Sequence, residues 1–197
     1  QNPDTERPDT TITVVHRAHD SGTTETFPDS LAAAAPESWT YDVVETWPSE
    51  ITAESAQQTS GVVSLAQSTD GAITYADASQ IGNLGTVAVK VGEEYVPYSS
   101  EAAARAVETA GEGLAGSLEL DRTTTEAGVY PVVLVTYEIF CHQYQDQETA
   151  DMAKAFAEYV VSEDGQATAA ESAGNAPISD ATREAAMANI QGITVQG

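Results

Sequence analysis

The sequence predicts an α/β fold, on three observations. A β-branched run, Thr11-Ile12-Thr13-Val14-Val15, is followed across a small-residue turn by a helix-compatible stretch, Thr24 to Ala35. A second strand-like segment, Ala72-Ile73-Thr74-Tyr75-Ala76, alternates behind the turn signal Asp70-Gly71. Tyr130-Pro131-Val132-Val133-Leu134-Val135 is nearly continuous apolar sequence, the pattern of a strand covered on both faces by helices. With 197 residues, 41% of them hydrophobic, the chain can build one sizeable core or two small lobes.

Each further element has its own local reason. Residues 1–10, with Pro3 and Pro8, form a polar, extended lead-in. The first helix is favoured by Ala32 to Ala35 and stops before Pro36. Pro36 to Pro48 reads as a loop with a short strand at Tyr41 to Val44, and Trp39 and Trp47 are expected to pack that loop onto the body, a sugar-stacking pair being the alternative. The tract Thr52 to Ser60 opens a helix from Ser60-Gly61 to about Gln67; Ser55, Gln57, Gln58, Thr59 and Ser60 read chiefly as caps, with donation to a ligand the alternative. Asp77 to Asn83 is a short helix or loop. Thr86 to Lys90 is a strand that turns at Gly92-Glu93 and returns through Val96. Ser100 caps an alanine-rich helix to Ala110, which Gly111 to Gly116 breaks. Glu148 to Val161 is an amphipathic helix with Met152, Phe156, Tyr159 and Val160 at helical spacing. Ser162 to Gly165 ends it, Gln166 to Ala173 is a further short helix, and Ala181 to Ile190 is the last, started by Ser179-Asp180 and ended by Gly192.

The chemistry concentrates in the first turn, His16-Arg17-Ala18-His19-Asp20-Ser21-Gly22-Thr23. The first N–H groups of a helix lack partners inside it, and the helix dipole favours negative charge there. Ser21 and Thr23 add hydroxyl donors, Gly22 allows close backbone approach, and Arg17 can offer two parallel N–H bonds to a tetrahedral oxyanion. The residues describe an oxyanion cradle. They equally describe a capped helix whose Ser and Asp serve only their own backbone.

This stretch resembles the H/R-R-x-D-x-S-G-T loop of the phosphate-binding proteins that feed ABC importers, the PstS family. Asn2-Pro3, Trp39, Trp47-Pro48, Gly71 to Asp77, Tyr130-Pro131-Val132-Val133 and Ala176-Pro177-Ile178 follow in that family's order. The resemblance implies a type II periplasmic-binding-protein-like fold, two lobes with central sheets flanked by helices and a ligand cleft between them. It implies that residues 1–128 form mainly the second lobe, carrying the anion loop. Residues 129–197 would return to complete the first. The family's front part, with its first-lobe ligands, is not in this chain, which looks like the later portion of such a protein. By resemblance, Arg17, Ser21, Gly22 and Thr23 contact inorganic phosphate. His19 stands where the family commonly has Asp; it is a candidate ligand contact that would add pH dependence. Asp20 is a candidate brace for Arg17. The implied function is an extracytoplasmic, non-enzymatic phosphate receptor that closes over its ligand and delivers it to a membrane ABC permease. The front segment, as a separate chain, is a further implied partner. Sulfate is the alternative ligand on the same fold, and a phosphoester-processing enzyme the alternative of another class. No cofactor or metal is implied.

Composition narrows the choice. Asp and Glu number 31 against 7 Lys and Arg, a formal net charge of −24, which disfavours nucleic acid and anionic membranes as partners. An anion site in such a chain must act locally, through Arg17 and fixed N–H dipoles, so screening salt should help it. The single Cys141 follows an apolar run and is expected to be a buried thiol; the sharper alternative is a disulfide to the front segment. His19, Asp20 and Ser21 are consecutive and cannot easily form a nucleophile–base–orienter set. His16, His19 and His142 are poorly spaced for zinc, and Glu93-Glu94 and Glu163-Asp164 read as surface charge.

Overall fold

The computed structural model describes residue 6, residues 8–113 and residues 117–196. The landmark Asn2-Pro3 and the expected break residue Gly116 lie outside the described residues. The chain divides into two compact units, Gln1–Gly85 and Thr86–Gly197.

The first unit is a parallel α/β layer. Strand β1 (Thr13–Arg17) leads to helix α1 (Gly22–Ala34), strand β2 (Glu54–Ala56), helix α2 (Gln58–Ser68) and strand β3 (Ala72–Thr74). The three strands pair in the order β2-β1-β3, both pairings parallel. The central strand carries Val15, which is fully buried, and α2 covers the sheet with Val62, Val63 and Ala66. From β1 the chain steps to one neighbour and then crosses back to the other. The carboxyl end of β1 is therefore a topological switch point, where open α/β sheets hold ligands.

Several expectations shift here. β1 begins at Thr13, where pairing with Ala72 starts, and runs through Arg17; the Ala18 N–H then donates to Ala56 O at 2.9 Å. α1 starts at Gly22 with Ser21 as its N-cap, two residues earlier than expected, and passes through Pro28. The strand expected at Tyr41 to Val44 does not form. Among the described residues no strand pairs with it, and the main chain of this loop is used otherwise: Glu45 O accepts from the Ser21 N–H. The tract expected to cap α2 instead supplies β2, because Glu54, Ser55 and Ala56 lie in register against Val15, His16 and Arg17. Gln57 is the N-cap position of α2 and makes no side-chain capping bond. Asp77 accepts from the Ser79 N–H and hydroxyl and starts a single 3₁₀ turn, Ala78–Gln80.

The second unit begins with the hairpin β4 (Val89–Val91) and β5 (Glu94–Val96), turned at Gly92 with φ 58°. Helix α3 (Ser100–Glu108) follows. Its cap is Ser99 rather than Ser100: the Ala102 N–H donates to Ser99 Oγ at 3.0 Å. Val91, Val96 and Ala102 form a small core, with Val89 and Tyr130 packed on it. Strands β6 (Gly111–Glu112) and β7 (Leu118–Glu119) pair antiparallel.

Tyr130 to Val135 forms no ladder, contrary to the expectation of a doubly covered strand. Arg122 takes the place of a neighbouring strand, its guanidinium donating to the carbonyls of Pro131 at 2.8 Å and Val133 at 3.3 Å. Leu134, Tyr137 and Ile139 remain exposed. Short parallel strands β8 (Gln143–Tyr144) and β9 (Thr194–Val195) bracket α4 (Gln147–Val161), α5 (Glu163–Ala173) and α6 (Asp180–Gln191). Their core is Ala150, Ala157, Ile190 and Ile193. The apolar stripe of α4 does not face that core. Met152, Phe156 and Tyr159 are exposed, while the alanine face packs toward α6. Cys141 is exposed, not the buried thiol expected. Among the described residues no helix is long and apolar enough to cross a membrane.

Candidate functional site

The switch point collects most of the polar residues singled out from the sequence. Arg17 is the last residue of β1, and α1 begins five positions later. Ser21, nearly buried, has extended backbone, and its Oγ accepts from the Thr23 N–H at 3.2 Å. The capped-helix reading of Ser21 is therefore realised. The N–H groups of Gly22 and Thr24 have no acceptor inside the helix. Nothing lies within 4 Å of where a side chain on Gly22 would begin, so the helix start is open there.

Arg17 is held by neutral groups. Its NH1 donates to Thr59 Oγ1 at 3.4 Å and its NH2 to His19 Nε2 at 3.2 Å. A guanidinium can only donate, so Nε2 is the acceptor and the His19 proton sits on Nδ1. Arg17 Nε is buried without a partner. The described ion pairs, Arg105–Glu126, Arg183–Glu163 and Arg183–Asp180, leave Arg17 without a carboxylate. Asp20 accepts from the Thr46 hydroxyl at 2.7 Å, which anchors it to the Trp39–Trp47 loop rather than to Arg17.

An aromatic group supports the site from beneath. Phe27 stacks on Tyr75 (4.9 Å, 21°), Tyr75 on Trp47 (5.9 Å, 22°) and Trp47 on His16 (5.4 Å, 15°). His16 Nδ1 donates to the Arg17 carbonyl at 2.7 Å. Trp39 tilts against Trp47 at 5.6 Å, so the two indoles pack the loop as expected and present no open stacking platform. Two further side chains join Arg17: Thr59 and Tyr75. Thr59 belongs to the tract read as caps or ligand donors, and here it accepts from the guanidinium. Tyr75 reads only as the end of an alternating strand, although its place at a strand's carboxyl end is itself a signal. Among the described residues no group of three His, Cys, Asp or Glu side chains converges to hold a metal ion.

A sequence profile described as the PBP superfamily domain matches residues 3–164. The chain belongs to this superfamily. Its relatives include the phosphate-binding protein PstS2 of Mycobacterium bovis, 32% identical over 166 residues, which are 79% of this chain and 44% of that protein. The phosphate-binding protein PstS 3 of Mycobacterium leprae is 32% identical over 157 residues, 74% of this chain and 42% of that protein. The chain thus spans less than half the length of these relatives. Among solved structures, a high-affinity periplasmic phosphate-binding protein (PfluDING), bound with phosphate, superposes with a TM-score of 0.62 at 22% identity over 90% of this chain and 57% of that one. A human phosphate-binding apolipoprotein gives 0.60 at 20% identity, over 90% and 58%. Both share the fold class expected from the sequence.

Proposed function

We propose that the chain binds inorganic phosphate at the carboxyl end of β1, as part of an extracytoplasmic receptor serving a membrane ABC permease. The observation that carries this is Arg17. In a chain with 31 acidic residues, this arginine has no carboxylate partner among the described residues; its hydrogen-bond partners there are Thr59 and His19, and its Nε is buried and unpaired. Without a carboxylate, the guanidinium keeps room at NH1 and NH2 for a charge-assisted acceptor, which an oxyanion beside Arg17 would supply. Gly22 supplies its main-chain N–H and Thr23 its hydroxyl, at the open start of α1 with a favourable dipole, and Ser21 shapes that start. His19 acts first on Arg17, as an acceptor that orients the guanidinium, and Asp20 steadies the loop through Thr46.

The names of the relatives, phosphate-binding proteins of the PstS type, support phosphate as the ligand and binding rather than catalysis as the role. In this reading residues 1–128 belong mainly to the lobe bearing the anion loop, residues 129–197 to the other lobe, and a front segment supplies the opposing wall of the cleft. Calorimetric titration of inorganic phosphate, with sulfate in parallel, tests the site. Arg17→Ala removes charge-assisted hydrogen bonds of about 1.5–3 kcal/mol, so phosphate affinity should fall roughly ten- to 150-fold. Unchanged affinity would overturn the assignment, and tighter sulfate binding would change the ligand.

A further inference from the structure

We infer that Tyr75 is a positioning residue of this site, its phenolic oxygen tying the end of β1 to the first turn of α1; the inference rests on the site assignment above. The main-chain N–H of Arg17 donates to the Tyr75 hydroxyl at 3.3 Å. The same hydroxyl lies 2.7 Å from Thr24 Oγ1. Thr24 is fully buried and directly follows Thr23 in α1. Accepting from Arg17, the phenol has its own proton available for Thr24, so one oxygen joins both arms of the cradle. The covalent route between those arms is the exposed segment Ala18-His19-Asp20.

The ring that carries this oxygen is held firmly. Phe27, one turn beyond Thr24, stacks on the Tyr75 ring, and Trp47 links Tyr75 onward to His16 on β1. Tyr75 itself follows β3, which is in parallel register with β1 through Val15 and Thr74. The sheet thus places both the hydroxyl and Arg17, and the hydroxyl ties α1 to that frame through Thr24. A site pre-organised in this way spends less of its binding energy on ordering its own donors.

The test uses the 197-residue chain with inorganic phosphate as probe, followed by calorimetry and by amide hydrogen exchange. Tyr75→Phe and Thr24→Val should each weaken phosphate about tenfold. Because both cut the same link, the double variant should be little weaker than either single one. Thr24→Ser, which keeps the hydroxyl, should restore what Thr24→Val loses, and Tyr95→Phe, an exposed tyrosine of the other unit, should change nothing. The Arg17 amide should exchange faster in Tyr75→Phe. Wild-type affinity in Tyr75→Phe, or losses that multiply in the double variant, would overturn the inference. If the unaltered chain takes up no phosphate, the donors at the end of β1 do not suffice by themselves and exchange decides on Tyr75 alone: faster exchange at Arg17 sustains the link, equal exchange refutes it.

Discussion

Replacing Gly71 by alanine should destabilise the first unit by about 2–3 kcal/mol. Gly71 has φ +73°, and a Cβ there would stand 2.7 Å from Thr10 Cγ2 and 2.8 Å from the carbonyl oxygen of Thr11. Left-handed backbone costs a non-glycine residue about 1–2 kcal/mol. The threonine methyl can rotate away, but the carbonyl belongs to the main chain and moves only with it, adding about 1–3 kcal/mol of overpacking. Alanine also narrows the unfolded ensemble, which returns about 0.4–1 kcal/mol. The same glycine's carbonyl accepts from the Thr13 N–H at 3.1 Å, the bond that opens the β1–β3 pairing. Both tryptophans, Trp39 and Trp47, lie in this unit, so urea unfolding followed by tryptophan fluorescence reports on it alone. Gly85→Ala is the control, since nothing lies within 4 Å of its added Cβ. A loss below about 0.5 kcal/mol for Gly71→Ala, the level of an ordinary surface substitution, would refute the reasoning.

Gln58 is the described non-glycine residue with positive φ, 59°. Gln58→Gly should therefore raise stability by about 0.5–1 kcal/mol, the left-handed penalty less glycine's extra entropy, as read by the same urea midpoint. Asp146 caps α4, and its carboxyl is held below the ordinary value of 3.8 first by the Thr149 N–H and then by the Thr149 hydroxyl. The stability this adds is fully present above the ordinary carboxyl value and is lost as pH falls through the lowered one. The advantage of the wild type over Asp146→Asn in thermal melts should thus shrink below about pH 4. The charge of −24 should make both stability and phosphate affinity rise with moderate concentrations of a salt whose anion does not compete for the site; affinity that falls steadily in such a salt would contradict a locally acting cradle.

The parts of the fold legible in the sequence are those decided by neighbouring residues. The turn from β1 to α1, the Gly92 hairpin, the stop of α4 at Ser162, the Ser179 start of the last helix and its Gly192 stop all follow from local backbone chemistry. They appear in the structure within a residue or three of their expected places. Arg17, Ser21, Gly22 and Thr23 were legible as a group for the same reason: a single turn carries them. Their partners were not. Thr59, Thr46 and Tyr75 reach the turn from 42, 26 and 58 residues away, and no local pattern announces a contact across such a separation.

Residue order by itself determined that a β-branched strand gives way, across one small-residue polar turn, to a helix, because propensity, capping and turn geometry act over a few residues. Only the tertiary structure decided which strands lie side by side, and so placed a weak β-former such as Glu54-Ser55-Ala56 in a sheet while leaving Tyr130 to Val135 without a ladder. A strand exists only where another backbone meets its hydrogen bonds, and burial only where another surface comes to rest. For the same reason α4 turns its alanines inward and leaves Met152, Phe156 and Tyr159 exposed: close approach of α6 selects small side chains, a choice made between elements and not within one.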